Sequence, residues 1–194
     1  MATDIHETKA VLRRQILAAL AAMPPKKRVA DSARICARLR ELPAWRDAGA
    51  VLLFAPMPEE PDIWPLLAEA LAAAKTVALP RFAAAFRNYR AARVQDLPGD
   101  VVTGHFGIRE PAARCLEIPL GEFDLVLVPG VAFDRQGRRL GRGKGYYDRL
   151  LAEVRGIKCG IAFAEQVVET VPAGPADVRL DFLVTPTAGV EVKD

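Results

Sequence analysis

Between Asp134 and Arg149 the chain reads DRQGRRLGRGKGYYDR, with five arginines, one lysine, four glycines and two adjacent tyrosines between an aspartate near each end. Glycine admits positive φ and lets bulky groups approach the backbone, and free amides at a following helix start add partial positive charge. Such a stretch suits an anion, and phosphate above all. It is not a Walker A loop, because Arg138 stands where the first glycine is required and Gly145 where Ser or Thr is. Nor does Gly141-x-Gly143-x-Gly145 have the spacing of a dinucleotide fingerprint. An ordinary solvated basic loop is the alternative to be weighed.

Two other places carry groups able to do chemistry. Lys9 and Arg13 lie four apart, and composition alone favours a solvated basic face for them. Glu59, Glu60 and Asp62 follow the apolar run AVLLFA (50–55). Carboxylates beyond a strand's carboxyl end lie where open α/β sheets bind ligands, yet acidic residues also favour helix starts. Both readings stand at this point. His6 and His105 are too far apart to form a motif. Cys36, Cys115 and Cys159 are odd in number and widely spaced, so neither a disulfide framework nor a zinc site is indicated.

The elements that must position these groups follow from apolar periodicity. Val11, Leu12, Ile16, Leu20 and Met23 predict an amphipathic helix over about 5–23, and Val29, Ile35, Leu39 and Leu42 a second over about 25–41. Short buried strands are expected at 50–55, 76–80, 86–92, 125–129, 157–163 and 182–185, with helices from about 64 to 74 and from 146 to 154. The run LVLVP (125–129) is the expected central strand, and the glycine-rich stretch its strand-to-helix loop. Alternating strands and helices give an α/β fold with a mostly parallel sheet covered on both faces. With 194 residues, 51% of them hydrophobic, one domain over 1–194 is expected.

A net charge of +3, much of the basic excess lying between Arg135 and Arg149, points to a local anionic ligand rather than a nucleic-acid surface. No signal peptide or membrane span is apparent. A cytoplasmic protein without nucleic-acid or membrane partners, and a monomer, is the expectation.

The stretch from Asp134 to Arg149 resembles the signature of the 5-formyltetrahydrofolate cyclo-ligases (5,10-methenyltetrahydrofolate synthetases), D-x-x-G-x-R-L-G-x-G-x-G-Y-Y-D-R, at every fixed position. Lys9-x-x-Leu12-Arg13, the Met57-to-Asp62 segment, the LPR ending at 79–81, Gly107-Ile108-x-Glu110-Pro111 and Phe163-x-x-Gln166 are similar to further family segments. The resemblance implies a three-layer α/β/α sandwich, Rossmann-like and of the NagB/RpiA/CoA transferase-like kind. It also implies ATP- and Mg²⁺-dependent closure of 5-formyltetrahydrofolate to 5,10-methenyltetrahydrofolate, with ADP and phosphate released.

Carried over residue by residue, the resemblance assigns ATP to Lys9, Arg13, Arg139, Leu140, Gly141, Arg142, Gly143, Lys144, Gly145, Tyr146 and Tyr147. The folate substrate falls to Ala55, Glu60, Arg142, Gly143, Lys144, Gly145 and Tyr146; Phe106 is read as part of a plain loop, with an aromatic surface for a pterin or benzoyl ring as the alternative. Mg²⁺ falls to Asp148 and Asp177, and Lys144, Arg142 and Tyr146 are the expected catalytic residues. The chain departs from the family's P-x-E-x-H-D-x-x-L-D segment, having Gly174 for the glutamate and Ala176 for the histidine. The rival readings are a diverged relative with another substrate, a sugar-phosphate isomerase or acyl-CoA transferase of related fold, and a nucleotide- or RNA-binding module without turnover.

Overall fold

The computed structural model describes residues 5–104, 107–175 and 177–192. In chain order the helices are α1 (Ile5–Ala21), α2 (Pro25–Glu41), α3 (Pro43–Asp47), α4 (Trp64–Ala72), α5 (Leu97–Asp100) and α6 (Tyr146–Ala152). The strands are β1 (Ala50–Leu52), β2 (Thr76–Ala83), β3 (Asn88–Val94), β4 (Val101–Thr103), β5 (Arg109–Pro111), β6 (Glu117–Ile118), β7 (Leu125–Val128), β8 (Ala132–Phe133), β9 (Arg139–Leu140), β10 (Ile157–Ile161), β11 (Phe182–Val184) and β12 (Gly189–Glu191). Eight of them form one sheet in the order β12-β11-β10-β7-β1-β2-β3-β6. The strands from β11 to β2 are mutually parallel, and β12, β3 and β6 join antiparallel at the edges.

Alternation along the strands divides the core. Val51, Val77, Leu79, Leu125, Leu127, Cys159 and Ile161 pack with the apolar stripes of α1 to α4. Leu52, Ala78, Val126, Val128 and Leu183 face the other way, onto Leu150 and Leu151 of α6 and Phe123. Period-2 alternation puts successive side chains on opposite faces, so a run of apolar residues is buried on both. This gives helices on both faces of a mostly parallel sheet, the arrangement expected.

Several boundaries differ from those expected, for identifiable reasons. β1 stops at Leu52: Leu53 keeps one amide bond to the Ala78 carbonyl, and the chain then leaves the sheet toward Pro56, which has no N–H for a ladder. β3 begins at Asn88 because residues 84–86 form a tight turn ended by Arg87 at φ 46°. β10 ends at Ile161, since the Phe163 amide is taken by Gln166 Oε1 at 2.8 Å. The largest difference lies after β7. Residues 134–149 are not one loop: β8 and β9 pair as a hairpin, and only residues 141–145 lead into α6.

The hairpin turn is closed by Asp134, a wholly buried residue whose carboxylate accepts from the Gln136, Arg138 and Val171 amides and from Arg138 Nε at 2.6 Å. That aspartate therefore shapes the loop from behind.

Candidate active site

Chain order reverses between β1 and β7, because β1 leads to β2 on one side while β7 leads to β10 on the other. In open α/β sheets the crevice at such a switch point, beyond the carboxyl ends of the strands, is where ligands bind. A cleft with a cavity volume of about 270 Å³ lies there, walled by Phe54 and Ala55 after β1 and by Pro129 and Gly130 after β7. Gln166, only 1% exposed, braces the floor by donating from Nε2 to the Gly130 carbonyl at 2.6 Å while accepting from Phe163.

The short loop 141–145 forms one wall. Gly143 (φ 99°) and Gly145 (φ 65°) hold left-handed conformations that a side chain would strain. Arg142 and Lys144 project beside them as exposed residues, and Gly145 is followed directly by Tyr146, Tyr147 and Asp148 in the first turn of α6. That helix is seven residues long, so side-chain cations carry more of the positive field than its dipole does.

Three cations in and beside this wall pair with carboxylates. Arg139, its side chain 2% exposed, pairs with Asp148 at 2.8 Å, donates to the Pro129 carbonyl at 3.3 Å and lies over the Tyr147 ring. Its Nε is buried without a partner, an unusual cost for a guanidinium. Arg142 pairs with Glu59 at 2.6 Å and approaches Glu60 at 3.7 Å. From α1, Lys9 reaches Asp177 at 2.6 Å and Arg13 Nε donates to the Gly141 carbonyl at 2.8 Å. The N-terminal helix is thereby fastened onto the loop, across more than a hundred residues of sequence.

These partners shape the acidities. Burial tends to raise the Asp177 carboxyl, but the Lys9 ammonium, the Gly174 amide and the charge of Arg139 together hold it below the usual carboxylate range. Glu60 goes the other way: burial raises it, although the Met57 amide and Arg142 favour the ionised form. Burial also holds the Tyr147 hydroxyl well above the ordinary phenol value.

Residues 5–186 match the model of the 5-formyltetrahydrofolate cyclo-ligase family. The chain belongs to that family. It is 41% identical to the 5-formyltetrahydrofolate cyclo-ligase of Mycolicibacterium smegmatis over 96 residues, which is 48% of this chain and 50% of that protein. Over 172 residues it is 32% identical to the probable 5-formyltetrahydrofolate cyclo-ligase of Schizosaccharomyces pombe, covering 80% of this chain and 84% of the relative. The NMR structure of the Aquifex aeolicus 5,10-methenyltetrahydrofolate synthetase superposes with a TM-score of 0.86 at 35% identity, over 96% of this chain and 93% of that one.

Of the residues that the cyclo-ligase resemblance singled out, Ala55, Glu60, Arg139, Gly141, Arg142, Lys144, Gly145, Tyr146, Tyr147 and Asp148 line the cleft. Lys9, Arg13, Gly143 and Asp177 adjoin it through the contacts above. Leu140 differs: its side chain is 1% exposed and belongs to the core on the α1–α4 side, leaving only its backbone to the loop. The structure separates the members of the acidic cluster. Glu59 and Glu60 converge on Arg142, whereas Asp62 accepts from the Trp64 amide at the start of α4.

Gly174 donates its amide to Asp177 Oδ2 at 2.7 Å, so the backbone supports that carboxylate where the family has a glutamate. Phe106, His105 and Ala176 lie outside the described residues. Tyr89, Glu110 and Arg109 also line the cleft and were not singled out as ligands. For Tyr89 the available signal was its place two residues into a strand opposite Phe82, a pairing that needs the hairpin register.

Proposed function

We propose that this chain catalyses the ATP-dependent closure of 5-formyltetrahydrofolate to 5,10-methenyltetrahydrofolate. The observation that carries the reading is the meeting, at one switch-point cleft, of three segments far apart in sequence: Lys9 and Arg13 on α1, Glu60 beyond β1, and the cationic glycine loop 141–145.

The formyl oxygen of an amide is a poor leaving group. Its attack on the γ-phosphorus of ATP expels ADP and leaves a phosphorylated imidate. N10 then attacks the activated carbon, the C–O bond breaks, phosphate departs with the former formyl oxygen, and N10 loses its proton. Both steps need alignment and charge neutralisation more than covalent help from the protein. Lys144, Arg142 and Arg139 supply positive charge to the transferred group, and Lys9 and Arg13 to the remaining phosphates. The amides of Gly141, Gly143 and Gly145 take phosphate oxygens at close approach, while Tyr147 and the backbone of Leu140 border the nucleotide. Tyr146, Ala55 and the buried Glu60 face the folate ring.

Three ion pairs join cations and carboxylates in and beside the cleft: Lys9 with Asp177, Arg139 with Asp148, and Arg142 with Glu59. Nucleotide phosphates entering here would exchange partners with Asp148 and Asp177, releasing two hard carboxylates that both feel the charge of Arg139. That donor set fits Mg²⁺, which favours one or two carboxylates together with phosphate oxygens and water. Bound there, the ion would supply charge neutralisation to the phosphates. No group of three or more metal-ligating side chains is found among the described residues.

Among the described residues no helix is long and apolar enough to cross a membrane. We take the chain to act as a monomer on small molecules. The test is absorbance at the methenyl band with purified protein, (6S)-5-formyltetrahydrofolate, ATP and Mg²⁺. Product is expected only when both ATP and Mg²⁺ are present. Tight ATP binding without product would instead mark a diverged relative acting on another substrate.

A further inference from the structure

The chain contains three tyrosines, Tyr89, Tyr146 and Tyr147, and all three meet in this cleft. Tyr89 is the hub. Its ring stands edge-on to Tyr146 (centroids 5.5 Å apart, planes at 85°), tilts against Tyr147 at 5.9 Å and meets its cross-strand partner Phe82 edge-on at 5.8 Å. Phe82 in turn touches Tyr146 at 5.4 Å. The strands that carry this pair run beyond β1, since β2 pairs with β1 only as far as Ala78 while its pairing with β3 continues to Ala83 opposite Asn88. The overhang projects over the carboxyl ends of the parallel strands and forms a wall of the cleft. Arg149 fastens it to α6 by donating to the Arg87 carbonyl at 3.2 Å.

The cleft therefore has two ends. At one, Arg139, Arg142 and Lys144 gather beside the glycines. At the other, the aromatic cluster stands with Glu110, and burial together with the charge of Glu110 raises the Tyr89 hydroxyl above the ordinary phenol value. Tyr146 lies between the two ends, with Arg149 and Lys144 near its ring at 5.2 and 6.0 Å and Tyr89 against it edge-on.

Edge-to-face contacts fix the plane of a ring as well as its place. We propose that Tyr89 is a positioning residue for the folate half-site, its ring setting the plane of Tyr146, against which the flat pterin ring of the substrate lies. This rests on the cyclo-ligase reading of the cleft. Tyr89 acts on the substrate through Tyr146, so its loss falls mainly on folate binding.

Two variants and two readouts decide it. In Tyr89→Leu the KM for 5-formyltetrahydrofolate should rise about tenfold, with a smaller rise of about twofold in the KM for ATP through Tyr147. The ring NMR signals of the two remaining tyrosines should shift toward solvent-averaged positions. Tyr89→Phe keeps the edges and should restore both the KM and the Tyr146 and Tyr147 signals. A Tyr89→Leu protein with lowered Tm, wild-type folate KM and unmoved tyrosine signals would reduce the residue to packing and overturn the proposal. So would failure of Tyr89→Phe to restore the KM. Absence of turnover in the wild-type protein would defeat the cyclo-ligase reading instead, and the ring signals alone would then decide whether Tyr89 orders its neighbours.

Discussion

Replacing Lys144 by alanine is expected to lower kcat by about 10²–10³-fold while leaving the thermal midpoint almost where it was. The side chain is an exposed part of the cleft wall, its ammonium 6.0 Å from the Tyr146 ring centroid, and it takes no part in the core. Substitutions at such positions usually change stability by no more than about 0.5 kcal/mol. A preorganised cation aimed at charge that develops in the transition state has a far larger effect on rate than on folding. Steady-state kinetics and a melting curve on the same preparation separate the two. Unchanged kcat would remove Lys144 from the phosphoryl-transfer machinery.

Arg139→Met should damage both fold and turnover, and by more. The methionine roughly preserves volume but deletes the charge that faces Asp148 and Asp177. Removing one member of a buried pair typically costs about 3–5 kcal/mol. Because the Asp148 side chain is 23% exposed, water relieves part of that, and a loss of about 2–3 kcal/mol is expected. Activity should fall by about 10³-fold or more, since the phosphate end loses its most buried cation. Adding Asp148→Asn to Arg139→Met should recover stability, by relieving the unpaired carboxylate, without recovering activity. Denaturant unfolding of the two single variants and the double variant measures the coupling. Recovery of activity in the double variant would show that neither the Arg139 charge nor the Asp148 carboxylate is needed for turnover.

Contiguous chemistry was easy to read from this sequence, and long-range pairing was not. The cations and glycines of 139–145 are adjacent in the chain, so their convergence needed no knowledge of the fold. The parallel sheet was legible because β1, β7 and β10 are apolar on both faces. The hairpin inside the glycine-rich stretch was hidden, because β8 and β9 are two residues each and leave no periodicity. Asp134 and Leu140 fall within the same stretch as the proposed ligands, yet burial turns one into a clamp on the hairpin and the other into core. Glu59 finds its partner 83 residues away, and Tyr89 acquires its neighbours only once β3 is registered against β2 and α6 docks.

The claim that one cleft joins phosphoryl transfer to ring closure is tested most directly by the fate of the formyl oxygen. Substrate carrying a heavy-oxygen label in the formyl group should be turned over with ATP and Mg²⁺ and the released phosphate analysed by mass. The account predicts one labelled oxygen in each phosphate formed, in equal number with methenyl product. Unlabelled phosphate, with the heavy oxygen recovered in water, would show that ATP hydrolysis does not activate the formyl group and would contradict it.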